Sequence, residues 1–158
     1  MQIRSAQDLD GDYDAYCRLL TQLDAQHSRA EPRYYRSPAP PARPREYFRS
    51  LCGEADGGLL MAWDQDQAVG LASFDVQRFA HPVVVPRRVL FINDIVVAQG
   101  HQRQGVGQAL MAGVRAWALA HDCSDLRLAV QEFNAPALSF YQAQGFAVQT
   151  RLLVRALD

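Results

Sequence analysis

The residues best suited to chemistry are Gln102-Arg103-Gln104-Gly105-Val106-Gly107, a glycine-bearing turn between an apolar run and an amphipathic stretch. The apolar run, residues 89–97, predicts a strand. Beyond the turn, Val106, Leu110, Val114 and Trp117 recur at helical spacing, so the turn opens a helix. The first N–H groups of a helix have no intrahelical partner, and the aligned peptide dipoles add partial positive charge there. Glycine lets the backbone approach an anion without a side chain in between. Strand, glycine turn and helix start together predict a phosphate-binding loop.

Spacing excludes two common phosphate loops. A dinucleotide pattern G-x-G-x-x-G beginning at Gly105 meets Leu110 where the last glycine should stand. A triphosphate loop running from Gly100 to Gly105 continues with Val106-Gly107, which supplies neither the lysine nor the hydroxyl that such a loop needs. The pattern left is Q-x-x-G-x-G: Gln102, Gly105 and Gly107.

Composition narrows the function classes. A chain of 158 residues with 49% hydrophobic and 21% charged residues suits one globular domain with a real core. A formal net charge of −1 argues against bulk nucleic-acid binding, which requires a basic domain. Cys17, Cys52 and Cys123 are too few and too scattered for a disulfide framework or a zinc site, and read as thiols in a reducing compartment. His27, His81, His101 and His121 lack metal-ligand spacing, so no metal is expected. The start of the chain has no apolar signal segment and no run approaches the length of a membrane span, so a cytoplasmic protein without a membrane partner is expected.

The elements that must position the turn follow from periodicity. Residues 3–4 suggest a short strand, and 10–27 a helix with Tyr13, Tyr16, Cys17, Leu20 and Leu23 along one face. Residues 29–44 hold five prolines and predict a stiff loop, whose Arg33-Tyr34-Tyr35-Arg36 is either a pinned surface turn or a wall of a binding site. A short helix at 45–52, a hairpin of strands at 58–63 and 68–76, and the strand at 89–97 come next. After the helix opened by the glycine turn, 126–130 predicts a strand. Asn134 is a helix cap, Pro136 fits the first turn, Gly145 is a stop, and 146–157 is expected to close the fold as a last strand. The result is an α/β domain covering residues 1–158, with a mixed sheet containing one parallel βαβ unit and flanking helices.

With those elements placed, the chain resembles the GNAT superfamily of acyl-CoA-dependent N-acetyltransferases. Three segments carry the resemblance, in order: Asn93-Asp94-Ile95-Val96-Val97 as the central strand; Gln102, Gly105 and Gly107 as the pyrophosphate loop; and Asn134-Ala135-Pro136-Ala137-x-x-Phe140-Tyr141-x-x-x-Gly145-Phe146 as the C-terminal motif. The resemblance implies the GNAT fold with its splayed central strand, acetyl-CoA as the acetyl donor, and direct attack by a primary amine in a ternary complex. The acceptor would be a small molecule or alternatively a protein or peptide amine, and a homodimer is compatible with the family. Carried onto this sequence, Arg103, Gln104, Gly105, Val106, Gly107 and Gln108, with Gln102, surround the pyrophosphate. Ile95, Val96 and Val97 line the pantetheine, joined by Asn134 and Ala137. Tyr141 falls where the family's general acid stands.

The general base stays open at this point. Polyamine-type members carry a glutamate where this chain has Asn93, which accepts no proton usefully. Asp94 is adjacent, but strand alternation turns it to the opposite face unless a bulge redirects it. Glu132 is a further candidate, and a water chain would also serve. Tyr34, Tyr35, His81, Asn93 and Glu132 are the expected acceptor contacts. A GNAT-like module that binds acyl-CoA without turnover is the competing reading, and the loss of the glutamate at position 93 is what supports it.

Overall fold

In the computed structural model, which describes residues 1–53 and 55–157, five strands and four helices form an open mixed sheet. The elements are β1 (Gln2–Ser5), α1 (Asp10–Ala30), α2 (Arg45–Gly53), β2 (Gly57–Asp64), β3 (Gln67–Phe79), β4 (Arg87–Val97), α3 (Val106–Ala120), β5 (Asp125–Leu128) and α4 (Ala135–Ala143). The sheet order is β1-β2-β3-β4-β5, antiparallel throughout except for the parallel β4–β5 pair that α3 bridges.

Two apolar clusters cover the two faces. On one, Tyr16, Leu19 and Leu20 of α1 and Phe48 and Leu51 of α2 pack on Leu59, Met61, Leu71 and Val96. On the other, Leu110, Met111 and Val114 of α3 and Tyr141 of α4 pack on Ala72, Phe74, Leu90 and Ile92. Strand alternation sends successive residues to opposite faces. The heptad-like spacing of apolar residues does the same for one side of each helix.

An ion pair fastens β1 to α1. Asp12 is 3% exposed and takes two bonds of 2.7 Å from Arg4 and one of 2.8 Å from the Gln7 N–H. Burial alone would raise its pKa, but these donors outweigh burial and hold it below the ordinary carboxylate value. A carboxylate depressed in this way stabilises the fold above its unfolded pKa and loses that contribution as the pH falls through the folded value. Asp12→Ala should therefore cost about 2 kcal/mol at neutral pH, discounted for the partly exposed Arg4. The cost should shrink toward pH 3, and denaturant melts at the two pH values check it. An equal cost at both would remove the charge from the explanation.

The expected last strand is absent. Segment 146–157 has no strand among the described residues, and Leu152 and Leu153 are 91% and 89% exposed. The strand predicted at 126–130 is also shorter, ending at Leu128. No described helix is long and apolar enough to cross a membrane.

Candidate active site

β4 and β5 part company halfway. Their pairing covers Val89 to Ile92 against Asp125 to Leu128, while β4 runs on to Val97. The side of β4 facing away from β3 is thus unpaired over residues 93–97. The phase of the β3–β4 ladder decides which groups it offers. The Ala98 N–H donates to the Val69 carbonyl at 2.8 Å, so Val96 and Asp94 direct their backbone groups toward β3. Ile95 and Val97 therefore point their N–H and C=O groups into the gap. This is an open strand edge inside the fold, the surface to which an extended amide chain adds.

A bulge solves the problem of Asp94. Ser73 pairs with Asp94 and Phe74 with Ile92, leaving Asn93 as the extra residue on β4. Ile92 and Ile95 consequently both face the α3 cluster, and Asn93 and Asp94 both turn toward the α1 side. There Asp94 accepts from the fully buried Ser73 hydroxyl at 2.9 Å, and the Asn93 amide donates to Asp75 at 2.7 Å. The buried Tyr16 hydroxyl of α1 has no hydrogen-bond partner among the described residues. Its pKa is driven well above the ordinary phenol value, first by burial and then by neighbouring groups that include the Asp94 carboxylate.

The glycine turn sits at the end of the same strand. Gly105 is the N-cap of α3 in the left-handed region, φ 84°, and supplies no side-chain cap. A Cβ there would meet nothing within 4 Å, so space lies open in front of the helix. The first described bond of the helix is Ala109 N–H to the Gly105 carbonyl at 3.0 Å, and no described group accepts from the N–H of Val106, Gly107 or Gln108. The Gln104 amide closes the turn on the Gly100 carbonyl at 2.8 Å, while Gln102 and Arg103 are exposed. At Gly107 a Cβ would stand 3.3 Å from the Phe140 ring and 3.8 Å from Val97. Glycine is what lets turn, strand end and α4 converge.

The α4 helix closes the gap from the α3 side. Asn134 caps it by accepting from the Ala137 N–H at 3.3 Å, and the chain leaves it through Gly145 at φ 88°. Tyr141 is 8% exposed, its ring set against Phe140 and Phe146 at 5.3 and 5.7 Å. Its hydroxyl has no hydrogen-bond partner among the described residues. Burial pushes the phenol up to about 12, which keeps it protonated and able to donate across the neutral range.

The roof is α1. It contacts the end of β3 through Arg18 to the Ala68 carbonyl and the end of β4 through Gln22 to the Gln99 N–H. Its His27 then stacks on Tyr35 at 5.1 Å and meets Phe133 edge-on at 5.8 Å. Gln131 donates to the Tyr35 hydroxyl, so the proline-rich loop is tied to the β5–α4 connection that also carries the exposed Glu132. Of the expected acceptor contacts, Tyr35 is thus held to the connection that carries Glu132, and Asn93 lies on β4 just past its last residue paired with β5. Tyr34 is 55% exposed under Arg33, and His81 lies in the β3–β4 turn, beyond the Phe79–Arg87 pair at the opposite end of β4. Sequence reasoning missed Ser73, Asp75, His27, Phe133 and Tyr16. Ser73 and Asp75 carried a signal: polar residues at alternate positions of an otherwise apolar strand. Among the described residues no group of three metal-ligating side chains exists. Two surface concavities, one around Ser5, Leu51 and Trp117 and one around Asp14, Arg18 and Asp66, hold none of the expected site residues.

Comparison with known proteins identifies the family. The model of the Acetyltransferase (GNAT) family matches residues 24–146. The chain belongs to the GNAT family. Among curated relatives of this GNAT protein, streptothricin acetyltransferase of Streptomyces lavendulae is 41% identical over 37% of the chain and 31% of the relative. Thialysine N-epsilon-acetyltransferase of Bos taurus is 38% identical over 55% of the chain and 51% of the relative. The chain thus spans a third to a half of these relatives' lengths in the matched regions. A mutant of the BH1408 protein of Bacillus halodurans superposes with a TM-score of 0.93 at 22% identity, over 100% of both chains. The aminoglycoside N-acetyltransferase AAC(6')-Iy in complex with CoA superposes at 0.72 and 17% identity, over 99% of each. The family match and these likenesses establish the GNAT fold for the chain.

Proposed function

We propose that this GNAT protein is an N-acetyltransferase that moves an acetyl group from acetyl-CoA to a primary amine, bound together in one complex. The observation that carries the reading is the convergence on one gap of three features. These are the open edge of Ile95 and Val97, the unsatisfied N–H groups of Val106, Gly107 and Gln108, and the free hydroxyl of Tyr141. The residues fit coenzyme A: a diphosphate suits the helix start, and pantetheine amides suit the strand edge. Acetyl-CoA supplies an activated thioester.

The Val97 N–H points into the gap, where it can hold the thioester oxygen as charge develops, a contact worth about 3 kcal/mol in comparable sites. The amine enters from the α1 side, toward Asp94 and Asn93. Asp94, turned to that side by the bulge, takes the proton that the ammonium must lose before nitrogen attacks. The C–N bond forms as the C–S bond breaks, Tyr141 gives its proton to the departing sulfur from the α4 side, and the second proton shed by the acylated nitrogen restores the phenol. Acid and base stand on opposite faces of the sheet, and the gap between β4 and β5 is where they meet the reacting atoms.

The acceptor we infer is a small cationic amine. Asp75 and Asp94 provide negative charge beside the bulge, and the His27, Tyr35 and Phe133 rings provide faces over which an ammonium or its carbon chain can lie. The bovine relative, a thialysine N-epsilon-acetyltransferase, is consistent with an amine at the end of a flexible side chain. The test is thiol release from acetyl-CoA with a panel of diamines, lysine analogues, aminoglycosides and amino-terminal peptides. Turnover with cationic small amines supports the assignment, and turnover confined to peptides replaces the acceptor. Tight acetyl-CoA binding without thiol release for any amine would identify a non-catalytic module instead. Asp94→Asn should lower kcat by about 10²-fold with little change in acetyl-CoA affinity. The loss should shrink for amines of low pKa, which need no base.

A further inference from the structure

A hydroxyl in the α1-side core is paired with nothing among the described residues. It belongs to Tyr16, which is fully buried in the cluster that holds Leu19, Leu20 and Val96, with its ring 5.2 Å from that of Phe48. A phenylalanine would fill the same space. The tyrosine oxygen gives up its water without gaining a bond, so in the free protein it destabilises the fold. Tyr13, one turn earlier on α1, shows the ordinary solution: its hydroxyl donates to the Arg43 carbonyl at 2.8 Å.

The surroundings leave the phenol one carboxylate. The titratable and charged groups around it are Tyr47 of α2, Asp94 of β4, Arg43 in the loop before α2, and Cys17 on its own helix. Arg43 is committed to Asp24 at 2.8 and 3.0 Å, and the Cys17 thiol leans on the Arg43 carbonyl at 3.8 Å. On β3, Asp75 is engaged by the Asn93 amide. Asp94 is different, because Ser73 fills only one of its oxygens, at 2.9 Å, and no described residue donates to the other. An orphan donor and a half-filled acceptor thus lie on the same side of the sheet, where α1 packs on β4. Hydrogen bonds that serve catalysis are often long in a free enzyme and tighten once the substrates are bound.

We propose that Tyr16 is a positioning residue for acetyl transfer: with donor and amine both bound, its hydroxyl donates to the unfilled oxygen of Asp94. Together with Ser73 it then fixes the carboxylate that takes the amine's proton. The hydroxyl lowers stability in the free protein and gains its bond in the ternary complex, where the bond favours the chemical step. The inference rests on the reading of Asp94 as the base.

Tyr16→Phe keeps the ring and removes the orphan, so its thermal midpoint should equal or exceed the parent's. With the fastest amine of the panel, kcat should fall about 10-fold, as for one hydrogen bond to a charged group, with KM for acetyl-CoA within about twofold. In an Asp94→Asn background the same substitution should change kcat by less than about twofold, because the partner is gone. Equal losses in both backgrounds would mean a packing role and overturn the proposal. Unchanged kcat in Tyr16→Phe, beside a clear loss in Asp94→Asn, overturns it too and leaves the base reading standing. An Asp94→Asn protein as fast as the parent, or no turnover of any amine, removes both. Should Tyr16→Phe fold poorly, crystals of the parent with coenzyme A and that amine decide. A Tyr16–Asp94 oxygen separation within about 3.0 Å supports the bond, and a longer one overturns it.

Discussion

Tyr141→Phe is expected to lower kcat by about 10²- to 10³-fold while leaving acetyl-CoA affinity within about twofold of the parent. The substitution removes one oxygen and keeps the ring that packs on Phe140 and Phe146, so stability should barely move. A loss in kcat without a loss in donor binding is the signature of a group used only in the transition state. The pH dependence carries a second check. The donor must be protonated, and burial holds the phenol up to about 12, so activity should show no alkaline limb from this group until the pH approaches that value. A limb near 10, the ordinary phenol value, would mean that the ring is exposed in the working enzyme. Thioester analogues with better leaving groups should rescue the variant, because they need less help from a proton. Equal rates for Tyr141→Phe and the parent would remove Tyr141 from the chemistry and leave it a packing residue.

Gly105→Glu is expected to weaken coenzyme A binding by about 10³-fold. A carboxylate about 4 Å from a phosphate in a partly screened setting costs about 4 kcal/mol, which corresponds to that factor. Part of the damage is conformational, since φ at this position is 84°, where a side chain adds strain of roughly 1–2 kcal/mol. Gly105→Ala separates the two contributions. Its methyl would meet nothing within 4 Å, so it carries the strain without the charge, and it should lose thermal stability but most of the binding should survive. Titration of both variants with coenzyme A, at high and low salt, is the measurement. Undiminished binding by the glutamate variant, with its fold intact, would falsify the phosphate cradle at the start of α3.

The two residues differ in how far the sequence revealed them. Gly105 and Gly107 were legible because the demand on them is local: a turn, a positive φ and a close approach to Phe140 are properties of a few adjacent positions. Asn134 and Gly145 were readable as cap and stop for the same reason. Tyr141 stood out only through the motif around it, since a buried aromatic beside another aromatic looks like core, and its role remains a proposal. The orientation of Asp94 was not legible at all. It depends on a bulge opposite Ser73 and Phe74, and a bulge is a property of two strands at once. The pairing phase that turns Ile95 and Val97 into the gap is likewise set by β3. The His27, Tyr35 and Phe133 cluster joins three separate segments, and no spacing in the sequence announces it. Segment 146–157 shows the reverse failure: its alternation is that of a strand, yet no strand forms there among the described residues, because alternation supplies no pairing partner.

A crystal structure of the protein with coenzyme A tests the central claim most directly. The account predicts the diphosphate against the N–H groups of Val106, Gly107 and Gln108, the pantetheine amides bonded to the main chain of Ile95 and Val97, and the sulfur within hydrogen-bond reach of the Tyr141 hydroxyl. Coenzyme A seated elsewhere, or seated here with its sulfur turned away from Tyr141, would contradict it.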